Sequence, residues 1–255
     1  MAAGWVNAGG WQVTAQNPLR SVSGLTKCTC DKGHRTGVYA FRDRSDAGER
    51  LAKELQERAL QFDLVLALPR GGVPVAAPIA AKLNLPLDVL VVRKLGVPSR
   101  SELAMGALAS GGHQVLNRDV LGAARVDEET LQLVVEREEA ELRRREELYR
   151  GDNPQPQLNR KRVLLVDDGL ATGASMRVAV QAARGLDAEA VSVAVPVAAP
   201  DVLAVLGEQV DELVCLLAPP NFGSVGAWFE SFEQVEDEEV RETLELHRSR
   251  LRSQS

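Results

Sequence analysis

Short apolar runs alternate with amphipathic stretches along most of the chain. Runs of strand length occupy residues 63–68, 87–92, 162–166, 190–196 and 212–217. Helical periodicity or helix-forming composition marks residues 45–59, 73–83, 127–150, 175–184, 201–206 and 238–250. Continuous apolar runs separated by helices are typical of parallel strands that are buried on both faces. The pattern therefore predicts an α/β fold with a mostly parallel central sheet and helices on both faces.

The turn signals refine this picture. Residues 105–110 and 114–116 flank Gly111-Gly112, which predicts a hairpin beside the main sheet. Ser45 is a candidate N-cap for the helix at 45–59, because its hydroxyl can accept from a free N–H of the first turn.

The composition suggests three regions. Residues 1–36 are rich in Gly, Asn, Ser and Thr and lack a clear period, which predicts a poorly ordered N-terminal arm. Residues 37–228 carry the alternating pattern and are interpreted as one domain. Residues 229–255 begin with aromatic side chains, become strongly acidic, and are interpreted as a helical tail.

Composition and charge exclude several classes of protein. The 255 residues are 45% hydrophobic and carry a net charge of −6, which argues against a disordered chain and against long-range attraction to nucleic acid. No apolar stretch reaches the length of a membrane span, and no basic patch precedes an apolar run at the N-terminus. With three cysteines, the chain is expected in the cytoplasm, without nucleic-acid or membrane partners. Cys28, Cys30 and His34 lack the spacing of a common zinc motif.

The chemically informative segment runs from Val163 to Ser175 and reads VLLVDDGLATGAS. An apolar strand ends in Asp167 and Asp168, and a small-residue turn then leads into a helix. Backbone N–H groups of residues 171–175 can converge on a phosphate at the start of that helix, where the helix dipole favours an anion. The two carboxylates would repel that phosphate, so we expect them to accept hydrogen bonds from neighbouring sugar hydroxyls. A phosphorylated ribose satisfies both halves.

This segment resembles the phosphoribosyl pyrophosphate (PRPP) signature of type I phosphoribosyltransferases. The resemblance implies the fold of that family, with a small hood or hairpin region beside the central sheet. It implies that Asp167 and Asp168 hold the ribose hydroxyls and act in catalysis. It also implies that the 5′-phosphate lies on the loop formed by Ala171, Thr172, Gly173, Ala174 and Ser175.

Two further segments fit the same family. Pro69-Arg70-Gly71-Gly72 follows the first predicted strand, and Arg70 supplies a fork of donors for phosphate oxygens. Arg93 and Lys94 end the next predicted strand, at the sheet edge where open α/β sheets bind ligands. The resemblance implies that Arg70, Gly71, Gly72, Arg93 and Lys94 hold the pyrophosphate. Residues 95–106 are expected to form the mobile loop that covers the reacting centre in this family.

The expected reaction is Mg²⁺-dependent transfer of the 5-phosphoribosyl group from PRPP to a nitrogenous, nucleobase-like acceptor, with release of pyrophosphate. Asp167 and Asp168 would meet the Mg²⁺ indirectly, through ribose hydroxyls or water. Ala171 stands where the hypoxanthine–guanine branch of the family has an acid, and this difference argues against that branch. The sequence then identifies no general base for the reaction. Two alternatives stay open: a PRPP-binding regulator without turnover, and a nucleotide-binding module that uses the acids for metal alone. A homodimer also stays open.

The rest of the resemblance concerns a less defined subgroup of phosphoribosyltransferase-domain proteins. It is carried by residues 41–48, 102–106, 222–232 and 237–240. The aromatic side chains in this part are interpreted mainly as a small satellite core, and alternatively as a hood that stacks on an acceptor base: Phe222, Trp228, Phe229 and Phe232.

Overall fold

The computed structural model of the chain describes residues 5–7 and 39–253. Its strands are β1 (Trp5–Asn7), β2 (Leu64–Ala67), β3 (Leu87–Val89), β4 (Val92–Val97), β5 (Arg100–Ala109), β6 (His113–Asn117), β7 (Arg162–Val166), β8 (Ala190–Val197) and β9 (Glu212–Leu217). Its helices are α1 (Arg44–Glu57), α2 (Gly72–Leu83), α3 (Arg118–Ala124), α4 (Glu128–Arg150), α5 (Ala174–Gly185), α6 (Pro200–Gly207) and α7 (Asp237–Arg252). A 3₁₀ turn spans Val225–Trp228.

Two sheets organise these elements. Five parallel strands run in the order β3-β2-β7-β8-β9, so β7 lies at the centre. Four strands form a smaller antiparallel sheet in the order β1-β6-β5-β4. The predicted α/β fold, with a parallel central sheet and a small hairpin region, is confirmed.

Alternating side chains of β7 supply both layers of the core. Leu164 and Val166 face the larger cluster, which includes buried residues of α1, α2, α4 and α7. Val163 and Leu165 face the second cluster, with α5 and α6. This period of two explains why the run at 162–166 is apolar throughout, since both of its faces are covered.

The hairpin predicted around Gly111-Gly112 is confirmed as β5–β6. Gly111 and Gly112 have φ values of +87° and +76°. Positive φ at both central residues matches the right-handed twist of the flanking strands, and glycine adopts it without steric cost.

The apolar run at 87–92 was predicted as one strand, and this is wrong. β3 ends at Val89, and β4 begins at Val92 in the other sheet, where Val92 pairs with Ala109. The chain leaves the parallel sheet between them, and Ser110 Oγ accepts a hydrogen bond from the N–H of Val91 at 2.9 Å. Arg93 and Lys94 therefore lie within an antiparallel strand and not at the end of a parallel one.

Two local predictions need correction, one at the start of α1 and one after β4. The N-cap of α1 is Asp43 and not Ser45, because the Asp43 carboxylate accepts from the N–H of Asp46 at 2.8 Å and starts the helix earlier. The loop expected at 95–106 is instead the β4–β5 hairpin, with a register shift beside Gly96.

The C-terminal segment packs against the main core. α7 confirms the helix predicted at 238–250 and buries Val240 and Leu244 in the larger cluster. The predicted division at residues 36 and 228 stays a prediction. Cys28, Cys30 and His34 lie outside the described residues.

Candidate functional site

The loops that follow β2 and β7 lie side by side. Ala67 pairs in parallel register with Val166, and the N–H of Leu68 donates to the carbonyl of Val166 at 2.9 Å. Because the carboxyl ends of parallel strands meet at one edge of the sheet, the register places residues 69–72 beside Asp167 and Asp168. Two of the segments singled out from the sequence are thus brought together.

The two acids are largely withdrawn from water. The Asp168 side chain is 16% exposed, and Asp167 Oδ1 accepts from the N–H of Asp168 at 2.9 Å. Burial raises the pKa of Asp167 well above its ordinary value, and the negative charge of Asp168 raises it further. Burial also raises the pKa of Asp168, although a hydrogen bond from Arg44 opposes that shift. The pair therefore has unmet demand for a cation or for hydroxyl donors.

Two glycines let the first loop approach these acids. A Cβ on Gly71 would come within 2.0 Å of Asp168 Oδ2, and a Cβ on Gly72 would come within 2.6 Å of the Val166 carbonyl oxygen. The peptide bond between Pro69 and Arg70 is cis, and α2 starts directly after Gly71. The absence of a side chain at 71 thus makes room for the Asp168 carboxyl, and its absence at 72 lets the loop approach the end of β7 and Asp167.

The segment after the acids forms an open turn at the start of α5. The N–H of Leu170 donates to the carbonyl of Val197, and the carbonyl of Leu170 accepts from the N–H of Ala199, which fixes the turn to the end of β8. Gly173 caps the helix with φ +65°. Gly173 is buried. The other four predicted phosphate-loop residues are exposed: Ala171, Thr172, Ala174 and Ser175. A helix N-terminus lined by small exposed residues has room for an anion.

Within this turn, Thr172 Oγ1 lies 3.4 Å from the N–H of Ala174 and accepts from it. The predicted phosphate role of the Ala174 N–H would require that contact to open, whereas the Thr172 hydroxyl can still donate its own O–H to a phosphate.

The predicted pyrophosphate-binding cations are placed differently from one another. Arg70 Nη1 lies 3.6 Å from Glu236 Oε2 and 3.9 Å from Asp237 Oδ1, at the start of α7. Arg93 donates through Nε and Nη2 to Glu138 Oε2 of α4, at 3.0 and 2.6 Å. Lys94 is exposed, and as the next residue of β4 it points to the opposite face from Arg93.

The family model of the phosphoribosyl transferase domain matches residues 35–215, which is well over half of the chain. The chain belongs to the phosphoribosyl transferase domain family. The match includes the acid pair, the turn before α5 and the glycine loop after β2.

Named relatives agree with this membership. A curated protein from two strains of Mycobacterium tuberculosis, named "Putative phosphoribosyl transferase", is 44% identical over 200 residues, which cover 78% of this chain and 45% of the relative. The chain thus spans less than half the length of the curated relatives it matches. The crystal structure of TT1426 from Thermus thermophilus is 42% identical, with a TM-score of 0.71, over 80% of this chain and 97% of that one.

The residue of this phosphoribosyl transferase domain that sequence reasoning missed is Arg44. Its Nε donates to Asp168 Oδ2 at 2.8 Å, and its side chain is 12% exposed. The two residues are 124 positions apart, so no local spacing relates them. The available signal was a cation in the first turn of a helix, where the dipole disfavours it.

The aromatic cluster of the domain forms the predicted satellite core. Phe229 is 2% exposed and packs between Phe41 and Phe232, with ring centroids 5.2 and 5.0 Å away. Phe222 and Trp228 pack against the same cluster.

The described residues lack two further features, a membrane span and a metal cluster built from protein ligands alone. In that part of the chain, no helix is both long and apolar enough to span a bilayer. The same residues include no group of three or more His, Cys, Asp or Glu side chains that could hold a metal ion.

Proposed function

We propose that this protein transfers the 5-phosphoribosyl group of PRPP to a nitrogenous acceptor and releases pyrophosphate. The observation that carries the proposal is the junction of two sheltered carboxylates with an exposed small-residue turn at the start of α5. The turn suits a phosphate, and the carboxylates suit the neighbouring ribose hydroxyls. Family membership supports the same class of reaction.

The acid pair also fits a divalent cation. Carboxylate oxygens are hard ligands of the kind that Mg²⁺ prefers, and the raised pKa values of Asp167 and Asp168 reflect negative charge that burial leaves poorly compensated. Asp167 and Asp168 would hold the ion indirectly, through ribose hydroxyls or water. When bound, Mg²⁺ would supply charge neutralisation to the diphosphate.

In the proposed transfer, the acceptor nitrogen forms a bond to C1 of the ribose while the bond from C1 to the pyrophosphate oxygen breaks. The electron pair leaves with pyrophosphate, and the proton of the acceptor nitrogen goes to solvent. The transition state carries positive charge on the sugar, which the carboxylates of Asp167 and Asp168 would stabilise. The turn at 171–175 would hold the 5′-phosphate, and Arg70 would hold the leaving group. Arg93 and Lys94 point to opposite faces of β4, so one of the two would join Arg70 there.

The acceptor is proposed to be nucleobase-like, which would place the protein in cytoplasmic nucleotide metabolism. Ala171 offers no acidic contact to a purine of the hypoxanthine–guanine kind. Because the residue directly before Thr172 is not an acid, other groups would recognise the acceptor.

A second function, PRPP binding without turnover, is favoured by one observation. Two of the proposed pyrophosphate-binding cations are engaged by acids: Arg93 by Glu138, and Arg70 by Glu236 and Asp237. A regulator does not have to stabilise a departing pyrophosphate, so these ion pairs would impair it less than they would impair a transferase.

Pyrophosphate release separates the two functions. The assay uses PRPP, Mg²⁺ and a panel of purine and pyrimidine bases, with Asp168→Asn as the inactive reference. A transferase releases pyrophosphate with at least one base. D168N is then expected to release it more slowly, by more than about tenfold. Tight PRPP binding without release for any base would favour the regulator. Stabilisation by ATP and none by PRPP would contradict both.

A further inference from the structure

Arg44 is anchored on three sides beside the acid pair. Its Nε donates to Asp168 at 2.8 Å, and its Nη1 donates to the carbonyl of Glu233 at 2.7 Å. Its guanidinium lies over the ring of Phe232, 3.7 Å from the centroid. These contacts fix the guanidinium plane, so Asp168 meets a donor whose position is set before any substrate arrives.

The anchor itself is built by two distant segments. Residues 40–42 and 228–231 exchange backbone hydrogen bonds, and Phe41 forms a parallel bridge with Phe229. This pairing brings Phe232 over the first turn of α1. The satellite core of aromatic side chains thus holds Arg44, and Arg44 in turn contacts Asp168.

Helix stability does not account for this placement. Arg44 is the first residue of α1, where the positive end of the dipole disfavours a cation. A sheltered ion pair adds little net stability, because both charges lose water. Lys53, on the same helix, makes the ordinary surface arrangement: it pairs with Glu57 at 3.8 Å, and its side chain is 77% exposed.

The geometry defines what Arg44 does to Asp168. The guanidinium of Arg44 and the bare backbone of Gly71 both approach the same oxygen of the carboxyl, Oδ2. Arg44 takes Oδ2, so in the proposed reaction Oδ1 is the oxygen presented to the ribose. The same positive charge offsets one of two adjacent negative charges that would repel the phosphates of the substrate.

We infer that Arg44 is a positioning residue for the proposed transfer, which orients the Asp168 carboxylate toward a ribose hydroxyl and offsets its charge; this inference rests on the proposed function. Arg44 itself contacts the acid and not the reacting atoms. Because the aromatic satellite core holds Arg44 in place, that core also supports the site.

The test measures PRPP affinity by calorimetry, and pyrophosphate release, in Arg44→Met, Arg44→Lys and the matched control Lys53→Met. R44M is expected to bind PRPP about tenfold more weakly or worse, because Asp168 loses its charged donor. R44K keeps the charge but loses the fork, so it should recover part of the affinity. K53M removes an exposed cation from the same helix without touching Asp168 and should bind PRPP like the wild type.

The outcomes distinguish this inference from the proposed function. A wild type that does not bind PRPP overturns the proposed function and this inference with it. A wild type that binds, with D168N impaired and R44M normal, overturns the inference alone. Equal losses in R44M and K53M also overturn it, since they would show general damage to α1. Should R44M fail to fold, Phe232→Leu removes the ring over Arg44 but keeps an apolar side chain against Phe229, and it is expected to weaken PRPP binding by roughly threefold; normal binding by F232L would then overturn the inference.

Discussion

Gly71 lies so close to Asp168 that a Cβ at residue 71 would come within 2.0 Å of the Asp168 Oδ2 atom. The glycine of the first loop is therefore what makes room for the carboxylate at the end of the central strand. The contact joins the two loops of the candidate site and places the proposed pyrophosphate and ribose subsites next to each other.

Gly71→Ala is expected to weaken PRPP binding by about tenfold or more, because the methyl group must displace the carboxyl from Arg44 or shift the loop. Calorimetric titration with PRPP measures the loss. Gly122→Ala is the matched control, since a Cβ there meets nothing within 4 Å. Wild-type affinity in G71A would show that the position of Asp168 does not matter for binding.

Asp167→Asn is expected to stabilise the fold at neutral pH while it impairs transfer. Burial and the charge of Asp168 raise the pKa of Asp167, so the unfolded chain loses this proton at lower pH than the folded chain does. Stability is therefore lost as the pH rises from the ordinary Asp pKa through the folded value, and the amide avoids that loss.

Thermal unfolding without PRPP or Mg²⁺ measures this effect. The midpoint of D167N should exceed that of the wild type at pH 7.5, by roughly 2–4 °C for each kcal/mol relieved, and the difference should shrink toward pH 4. Asp152 is exposed, so the control variant D152N should leave the unfolding midpoint unchanged both at pH 7.5 and toward pH 4. A lower midpoint for D167N at pH 7.5 would contradict the account.

Gly173→Ala is expected to weaken binding of ribose 5-phosphate. Residue 173 has φ +65°, which disfavours a side chain, and an added Cβ would come within 2.5 Å of Val202 Cγ1. Adding Val202→Ala removes the overlap but keeps the backbone strain, so the double variant should recover part of the affinity, with V202A alone as the reference. If G173A binds ribose 5-phosphate like the wild type, the turn before α5 is not the phosphate site.

Glu138→Gln is expected to strengthen pyrophosphate binding, because it removes the anion that competes for Arg93. Arg93→Met should weaken it. Arg137 pairs with the same Glu138 from a side chain that is 70% exposed, so R137M is the control for disturbing that acid. Inhibition of transfer by added pyrophosphate reports all three. Unchanged inhibition in both E138Q and R93M would make the pair purely structural.

The central strand and its loop could be predicted from the sequence because local rules decide them. The run at 162–166 is apolar at every position after Arg162, which only a strand covered on both faces needs, and the acids and small residues after it mark the sheet edge. The hairpin at Gly111-Gly112 follows from glycine's tolerance of positive φ.

The remaining features depend on contacts between distant segments. The segment at 87–92 contains Asp88 but no glycine or proline between β3 and β4, and the split between the two strands follows from the pairing of Val92 with Ala109 in the other sheet. The contact of Arg44 with Asp168 likewise depends on where the fold places α1. Asp43 and Ser45 lie two residues apart and both have side chains that can cap a helix, so the sequence alone did not distinguish between them.

PRPP binding, measured by calorimetry on the wild type and on Asp168→Asn, tests the central claim most directly. The account predicts saturable binding of one PRPP per chain. It also predicts that D168N binds PRPP more weakly than the wild type, by more than about tenfold. Absence of PRPP binding by the wild type, or equal affinity in D168N, would contradict it.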